Sequence, residues 1–277
     1  MKLHWKISPL FFALTLCLAL AQGSSDAWLM FRHDAAHSGY STSTAPNTNR
    51  VEWRFRTFYP IHRSSPAVAY GKVYIGAYYN VYAIDEVSGN QVWSCTLSNI
   101  VSSSSPAVAD GKVFIGSYDK NVYALDASTG NKIWSYATGG IVESSPTIAY
   151  GMVYVGSGDS YVYALNISTG QKVWSYKTGG YVYSSVAVFD GKVYFGSGDK
   201  YVYALNAYNG ALVWKFSTGD WVSSSPALVD GKVYVGSYDS KVYCLNAING
   251  TFIWSNSTGN SIYSSPAVAY GKVFIGS

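Results

Sequence analysis

The chain has 277 residues, 48% hydrophobic, 17% aromatic and only 12% charged, with 26 Tyr and 9 Trp. So apolar a chain buries enough surface to offset its conformational entropy, which excludes disorder, and its 27 Gly with no heptad run exclude a coiled coil. The formal net charge of +4 is small and evenly spread, and two of its lysines lie in the first six residues, so nucleic acid is not an expected partner.

Residues 1–21 read as an export leader. Lys2 and Lys6 precede an apolar run from Leu10 to Ala21, and Ala19-Leu20-Ala21 supplies a small-x-small cleavage pattern. The run is too short to span a bilayer, and no other segment approaches the length needed. Cleavage near Ala21 predicts an extracytoplasmic protein, whether secreted, held at the cell surface or periplasmic, with no membrane span. Three cysteines are too few for a disulfide scaffold. Cys17 falls in the leader, Cys95 stands where other repeats have Tyr or Phe, and Cys244 where they have Ala, so Cys95 and Cys244 are not expected to pair.

Residues 22–50 form a lead-in segment, Trp28 to Tyr40, rich in aromatic residues. His33, Asp34 and His37 have a spacing that suits a metal, but no further ligand cluster accompanies them. Packing of the aromatics against the following domain is the simpler expectation, and no metal site is assigned. Val51–Thr57 then carries Trp53 and Phe55 at a spacing that returns at Trp134 and Tyr136, and predicts a lone strand.

From Ser64 onward the sequence repeats every forty residues. Ser-Ser-Pro-Ala begins at Ser64, Ser104, Ser224 and Ser264, with close variants at Ser144 and Ser184. One residue missing near Tyr79 is restored between Trp93 and Pro106. Within repeat two, Pro106–Ala109 reads as a short strand and Asp110-Gly111 as a two-residue hairpin turn. Lys112–Gly116, Asn121–Asp126 and Lys132–Thr138 follow as three more strands rich in β-branched and aromatic residues. Four short antiparallel strands per forty residues predict an all-β protein, a β-propeller of four-stranded antiparallel blades spanning 51–277. A β-helix is the competing solenoid, but its repeats are usually shorter and lack the four-strand meander.

Ala124, Asp126, Thr129, Gly130 and Trp134 form a spaced motif that returns in every repeat. It recurs as Ala83, Asp85, Gly89 and Trp93, and as Ala164, Asn166, Gly170 and Trp174. Further copies are Ala204, Asn206, Gly210 and Trp214, then Cys244, Asn246, Gly250 and Trp254. This pattern resembles the tryptophan-docking motif of the PQQ-like (quinoprotein-type) β-propeller repeat. The resemblance implies that each indole, with Trp53 the first, is held between a small residue and the glycine-bearing turn of the next blade. A buried Trp hides about 150–250 Å², worth at most about 4–6 kcal/mol. Blades touch only their neighbours, so such joints must carry much of the stability. The Asp or Asn is expected to cap the turn that follows it.

The count gives a lone strand, five full blades and two strands of a sixth. The lone strand is expected to help complete the last blade, as an early strand often does in closed propellers. The unpaired edge left after Ser277 suggests a longer complete protein with seven or eight blades.

Positions that differ between repeats are the candidates for recognition. Three residues before each Pro (or Val186) stand Arg63, Ser103, Glu143, Tyr183, Ser223 and Tyr263, and two residues earlier Tyr181 and Trp221. Arg63, Glu143, Tyr181, Tyr183, Trp221 and Tyr263 are therefore the candidate ligand contacts around one mouth of the channel, with ordinary loop variation as the alternative. Asp119, Asp159, Asp199 and Asp239 recur in tight turns, where Asp bonds the local backbone. No nucleophile, zinc or phosphate-loop motif occurs, so no catalytic residue is assigned.

The primary expectation is a non-catalytic binding or scaffold module, a monomer with a protein or glycan ligand and no cofactor. The resemblance also implies two alternatives. One is an adaptor similar to the lipoprotein propeller of outer-membrane barrel assembly, and the other a PQQ-dependent dehydrogenase holding quinone and calcium. Asn166, Asn249 and Asn256 begin glycosylation-type sequons, a weak sign of export.

Overall fold

The computed structural model describes residues 27–41 and 47–277, so the leader with Cys17 lies outside the described residues. Each repeat becomes one sheet. The first blade holds β1 (Ala67–Ala69), β2 (Lys72–Ala77), β3 (Asn80–Asp85) and β4 (Gln91–Thr96). The second holds β5 (Ala107–Ala109), β6 (Lys112–Gly116), β7 (Asn121–Asp126) and β8 (Lys132–Ala137). The third holds β9 (Thr147–Ala149), β10 (Met152–Gly156), β11 (Tyr161–Asn166) and β12 (Lys172–Lys177). The fourth holds β13 (Ala187–Phe189), β14 (Lys192–Gly196), β15 (Tyr201–Asn206) and β16 (Leu212–Ser217). The fifth holds β17 (Ala227–Val229), β18 (Lys232–Gly236), β19 (Lys241–Asn246) and β20 (Phe252–Ser257), and a sixth sheet has β21 (Ala267–Ala269) and β22 (Lys272–Phe274).

Strands pair antiparallel in chain order within each sheet. The first strands β1, β5, β9, β13, β17 and β21 touch one another in turn. The sheets therefore stand radially about a channel as the blades of a β-propeller. β6 and β7 are buried along most of their length because neighbouring blades cover both faces, whereas β8 is largely exposed apart from its tryptophan. The hairpin at Asp110-Gly111 has φ of 48° and 68°, the double left-handed turn that matches strand twist.

The indoles of Trp93, Trp134, Trp174 and Trp214 sit where blades meet, whereas Trp254, expected to dock in the same way, is 37% exposed because no glycine-bearing turn among the described residues covers its ring. A Cβ added to Gly170, at φ 71°, would lie 2.6 Å from the Trp134 ring, and one on Gly130 would lie 2.7 Å from Trp93. Only glycine allows this approach. Trp93 Nε1 donates to Ala127 O (3.1 Å), Trp174 to Ala207 O (2.8 Å) and Trp214 to Ala247 O (3.1 Å). Tyr74, Tyr154 and Tyr194 donate their hydroxyls to those same carbonyls. In the second blade Phe114 replaces this tyrosine, and Ile167 O accepts from Trp134 Nε1 (3.2 Å). Each tryptophan faces the small residue of its own blade, as in the Ala164–Trp174 pair, and a bulge follows at Val173. Asp126 Oδ1 caps its turn by accepting from Ser128 N, Thr129 N and Thr129 Oγ1, and Asn166, Asn206 and Asn246 accept from the matching backbone N–H groups. Asp85 does the same, and those bonds hold its carboxyl below the usual range.

Two expectations change. Residues 51–57 form no strand, because no partner among the described residues offers them a ladder. The segment docks by side chains alone: Trp53 lies against Gly89, its Nε1 donates to Glu86 O (2.9 Å), and Phe55 packs edge-on to Tyr82. It therefore does not complete the last sheet, which has two strands. The extra residue before Pro106 also shifts the local frame. Val101 fills the buried place that Val142 and Val182 hold in later blades, and Ser102 is enclosed with a hydroxyl lacking a partner. Cys95 and Cys244 are free thiols, both raised in pKa by burial.

Two left-handed glycines separate the joint from simple backbone strain. Gly170→Ala should cost about 2–4 kcal/mol, because it strains φ and displaces Trp134. Gly151→Ala, at φ 70° with nothing within 4 Å of its Cβ, should cost only about 1 kcal/mol. Equal losses in urea unfolding would remove the special role of the indole contact. Trp174→Ala should cost about 3–5 kcal/mol by the same measurement.

Candidate functional site

The channel is closed at one end by the lead-in. Carbonyls of Trp28, Leu29, Ala35, Ala36 and Ser38 accept the N–H groups of Val68, Val108, Val188, Leu228 and Val268, one from each of five inner strands. The remaining inner strand, β9, is met by a side chain, with His37 Nε2 3.1 Å from Thr147 Oγ1. The turn from residue 30 to 39 places Arg32, His33 and His37 at positive φ, which lets so short a segment circle the channel. His33 remains partly exposed beside Asp34 Oδ2 (3.5 Å), whereas His37 is fully buried against Phe31. Among the described residues, no three His, Cys, Asp or Glu side chains gather as a metal site would require.

Above this floor the two serines of each Ser-Ser-Pro motif form rings. The first serine accepts the N–H of the glycine ending its own second strand, as Ser104 Oγ does from Gly116 (3.0 Å). The second accepts from the preceding blade. Ser65 N–H donates to Ser105 Oγ (2.9 Å), and the bond repeats from Ser105 to Ser145, Ser145 to Ser185, Ser185 to Ser225 and Ser225 to Ser265. Sequence reasoning used the motif only to set the period. The signal for its role was that both serines recur in all six copies while Pro and Ala are each replaced once.

At the open end lies a cavity of about 560 Å³ lined by Arg63, Ser103, Glu143, Tyr183, Ser223 and Tyr263, with Phe31 and Arg32 below. These six are the positions three before the prolines, so the structure brings four of the candidate residues together. Arg63 Nη1 lies 4.0 Å from Glu143 Oε2, and the Tyr118 hydroxyl donates to Glu143 Oε1. Tyr181 and Trp221 do not line this cavity. Their carbonyls accept the N–H of Gly198 and Tyr238, in the turns after β14 and β18. Tyr181 stacks outside Tyr183 (5.5 Å between centroids), and Trp221 lies against Tyr238 (6.0 Å).

Tyr118 and Tyr238 were missed. They belong to a position held by Tyr78, Tyr118, Gly158, Gly198 and Tyr238, and that alternation of large and absent side chains was visible in the sequence. The turn aspartates have a further role as well. Asp159 Oδ2 accepts both the Tyr163 hydroxyl (2.6 Å) and Gly139 N–H from the preceding blade (2.6 Å), and Asp199 and Asp239 repeat this. They join blades and are not among the residues that line the channel cavity.

Radial four-stranded blades built from one repeated sequence unit, with the channel plugged from one side, define a repeat β-propeller. A family model described as outer membrane protein assembly factor BamB matches residues 78–214 and 198–277, and the chain belongs to this family of PQQ-like repeat propellers. No curated protein sequence matches significantly. Among solved structures, BamB from Moraxella catarrhalis is similar at 21% identity and TM-score 0.66, covering 76% of this chain and 65% of that one. The quinohemoprotein alcohol dehydrogenase from Comamonas testosteroni is similar at 19% identity and TM-score 0.71, covering 84% and 49%. A europium-containing methanol dehydrogenase is similar at 18% identity and TM-score 0.74, covering 83% and 58%. The chain thus spans between about half and two thirds of these proteins, and the likeness is one of fold.

Burial pushes the His37 pKa down to about 3, aided by the nearby Arg32 charge and opposed by Asp34. The unfolded chain then binds a proton near pH 6.5 that the folded chain refuses, so stability falls as pH drops from about 6.5 towards 3. In that window the protein should lose about 1.4 kcal/mol per pH unit more than His37→Gln. Denaturant curves at pH 6.5, 5.5 and 4.5 measure the difference; parallel losses would show that His37 does not set it.

Proposed function

We propose that this chain is a non-catalytic, extracytoplasmic propeller that binds a protein or glycan at the mouth of its channel. One observation supports the reading most. The residues that repeat are committed to joints between and within blades, whereas Arg63, Glu143, Tyr183 and Tyr263, which vary, converge on one solvent-open cavity. Tyr263 is 67% exposed, and Tyr181 and Trp221 extend the aromatic surface outward at about half exposure each. Half-exposed Tyr and Trp beside an Arg–Glu pair suit recognition, since such residues dominate binding energy where they become covered. The leader pattern of residues 1–21 supports export, and among the described residues no helix is long and apolar enough to cross a membrane.

The lining of this cavity supports the reading without quinone or calcium. Glu143 is the one carboxylate among its described lining residues, and Tyr118 already engages it. No cofactor and no catalytic step are proposed. The family match favours a second reading, an adaptor of the barrel-assembly kind. That reading requires a lipidated cysteine at the mature N-terminus, which intact-mass measurement of the exported protein detects.

Ligands found on glycan and peptide arrays should be lost on joint Tyr183→Ala and Tyr263→Ala substitution, with affinity falling at least about 10-fold. Circular dichroism should show the fold unchanged. Robust dye reduction after incubation with PQQ and calcium would overturn the non-catalytic reading, and binding indifferent to both tyrosines would overturn the site.

A further inference from the structure

We propose that the floor of the channel is an oxyanion site, taking the carboxylate, sulfate or phosphate group of a ligand that enters from the mouth. The inference deepens the binding reading and rests on the channel being open to solutes.

Arg32 carries the argument first. Its side chain is largely buried and lines the cavity floor. Nη1 donates to Ser265 O (2.9 Å), while Nε is buried with no hydrogen-bond partner. Among the described residues no carboxylate lies within ion-pair distance of it. Asp34, two residues on, accepts instead from the backbone and hydroxyl of Ser38. Asp34 supports the Arg32 charge electrostatically without a direct bond, but burial outweighs that support. A largely buried cation with no hydrogen-bonded carboxylate is costly and would gain from a bound anion. The backbone is bent to hold it there, since Arg32 takes φ 58°, and a Cβ on Gly39 would crowd Nη2 at 2.8 Å.

The wall supplies a second, independent observation. Ser105, Ser145, Ser185, Ser225 and Ser265 all line the same cavity. Each hydroxyl oxygen accepts a backbone N–H from the preceding blade, and among the described residues none of the five hydroxyl protons has an acceptor. A hydroxyl that has accepted one bond still has a proton to donate. The lower channel therefore presents five O–H donors and a guanidinium. Such a donor-rich ring matches an oxyanion, which accepts only, and bonds to a charged acceptor are the strong ones. Arg63 at the mouth adds positive charge, and Glu143 opposes it.

The test uses the exported chain with inorganic sulfate, phosphate or acetate as probe, against chloride at constant ionic strength. Low-millimolar sulfate or phosphate should raise the melting temperature saturably, and calorimetry should give one site per chain. Acetate separates a planar carboxylate preference from a tetrahedral one. Arg32→Gln should abolish the effect and, in chloride alone, melt at or above the parent, because a charge whose burial outweighs its support from Asp34 has gone. An Arg32 with a merely structural role predicts the opposite, a lower melting temperature in every salt. Glu143→Gln, which leaves the floor intact, should tighten sulfate binding about 3- to 10-fold. Stabilisation that does not saturate, or that is equal in Arg32→Gln, means a general salt effect and overturns the site. So does unchanged affinity in Glu143→Gln. Loss of sulfate binding with array ligands still held at the rim would sink this inference alone; the reverse pattern would sink the rim.

Discussion

An indole plane laid on a turn that has no side chain is the contact on which everything else in this molecule depends. Trp93, Trp134, Trp174 and Trp214 each meet the turn glycine of the following blade, where even one methyl group would intrude on the ring. The contact excludes water from the backbone around it, and the buried carbonyls at residues 127, 207 and 247 are then satisfied by both an indole N–H and a tyrosine hydroxyl. Burial of apolar area supplies the attraction, and these bonds fix its direction. The two effects together set the angle from one blade to the next, and the same angle repeated makes a channel.

That channel creates a problem the indoles do not solve. Inner strands turn polar backbone towards an axis where water is scarce, and buried polar groups must be paired. Three devices meet this need at successive depths. The lead-in offers carbonyls to the middle of five inner strands. One layer up, the paired serines cap the backbone within and between blades. Nearest the mouth, the turn after the second strand folds back on the incoming segment, as Gly158 N–H does to Ile141 O (2.8 Å). The serine ring is thus a structural answer to backbone desolvation that leaves the second serine of each motif with a hydroxyl proton to donate.

Blades and turns were legible in the sequence because each is local and repeats every forty residues, whereas the docking pattern overreached at Trp254, whose exposure depends on a neighbouring sheet and not on its own repeat. Residues 51–57 misled because Trp53 and Phe55 carry the side-chain pattern of a fourth strand, and a strand also needs a ladder partner, which pattern does not reveal. Tyr181 and Trp221 misled for a different reason. Alternation places them on the same side as Tyr183 and Ser223, but their backbone is bonded to turns 17 residues further along and neither side chain lines the cavity. The single-residue slip at Val101 was visible as a count, whereas the choice to bury Val101 and enclose Ser102 follows from packing against Gly76 of the first blade.

Repetition and variation divide this molecule by depth. A substitution at Gly130, Trp134 or Ser145 disturbs a joint with a neighbouring blade, so those positions have little freedom to become anything else. Position 63 and its counterparts in later repeats sit where the chain has left one blade and not yet entered the next, around the cavity and beside the Tyr118 and Tyr238 rings. Arg, Ser, Glu and Tyr are accommodated there without any change in blade spacing. A propeller of this family can therefore take up new binding surfaces at its mouth while its wall stays constant. The similar folds of a barrel-assembly factor and two alcohol-oxidising enzymes are understandable on the same terms, since the joints that build the channel are separate from the residues that face its opening. Arg32 is the exception that ties the two together: it belongs to the plug that satisfies the inner strands, yet its charge is directed into the space the rim encloses.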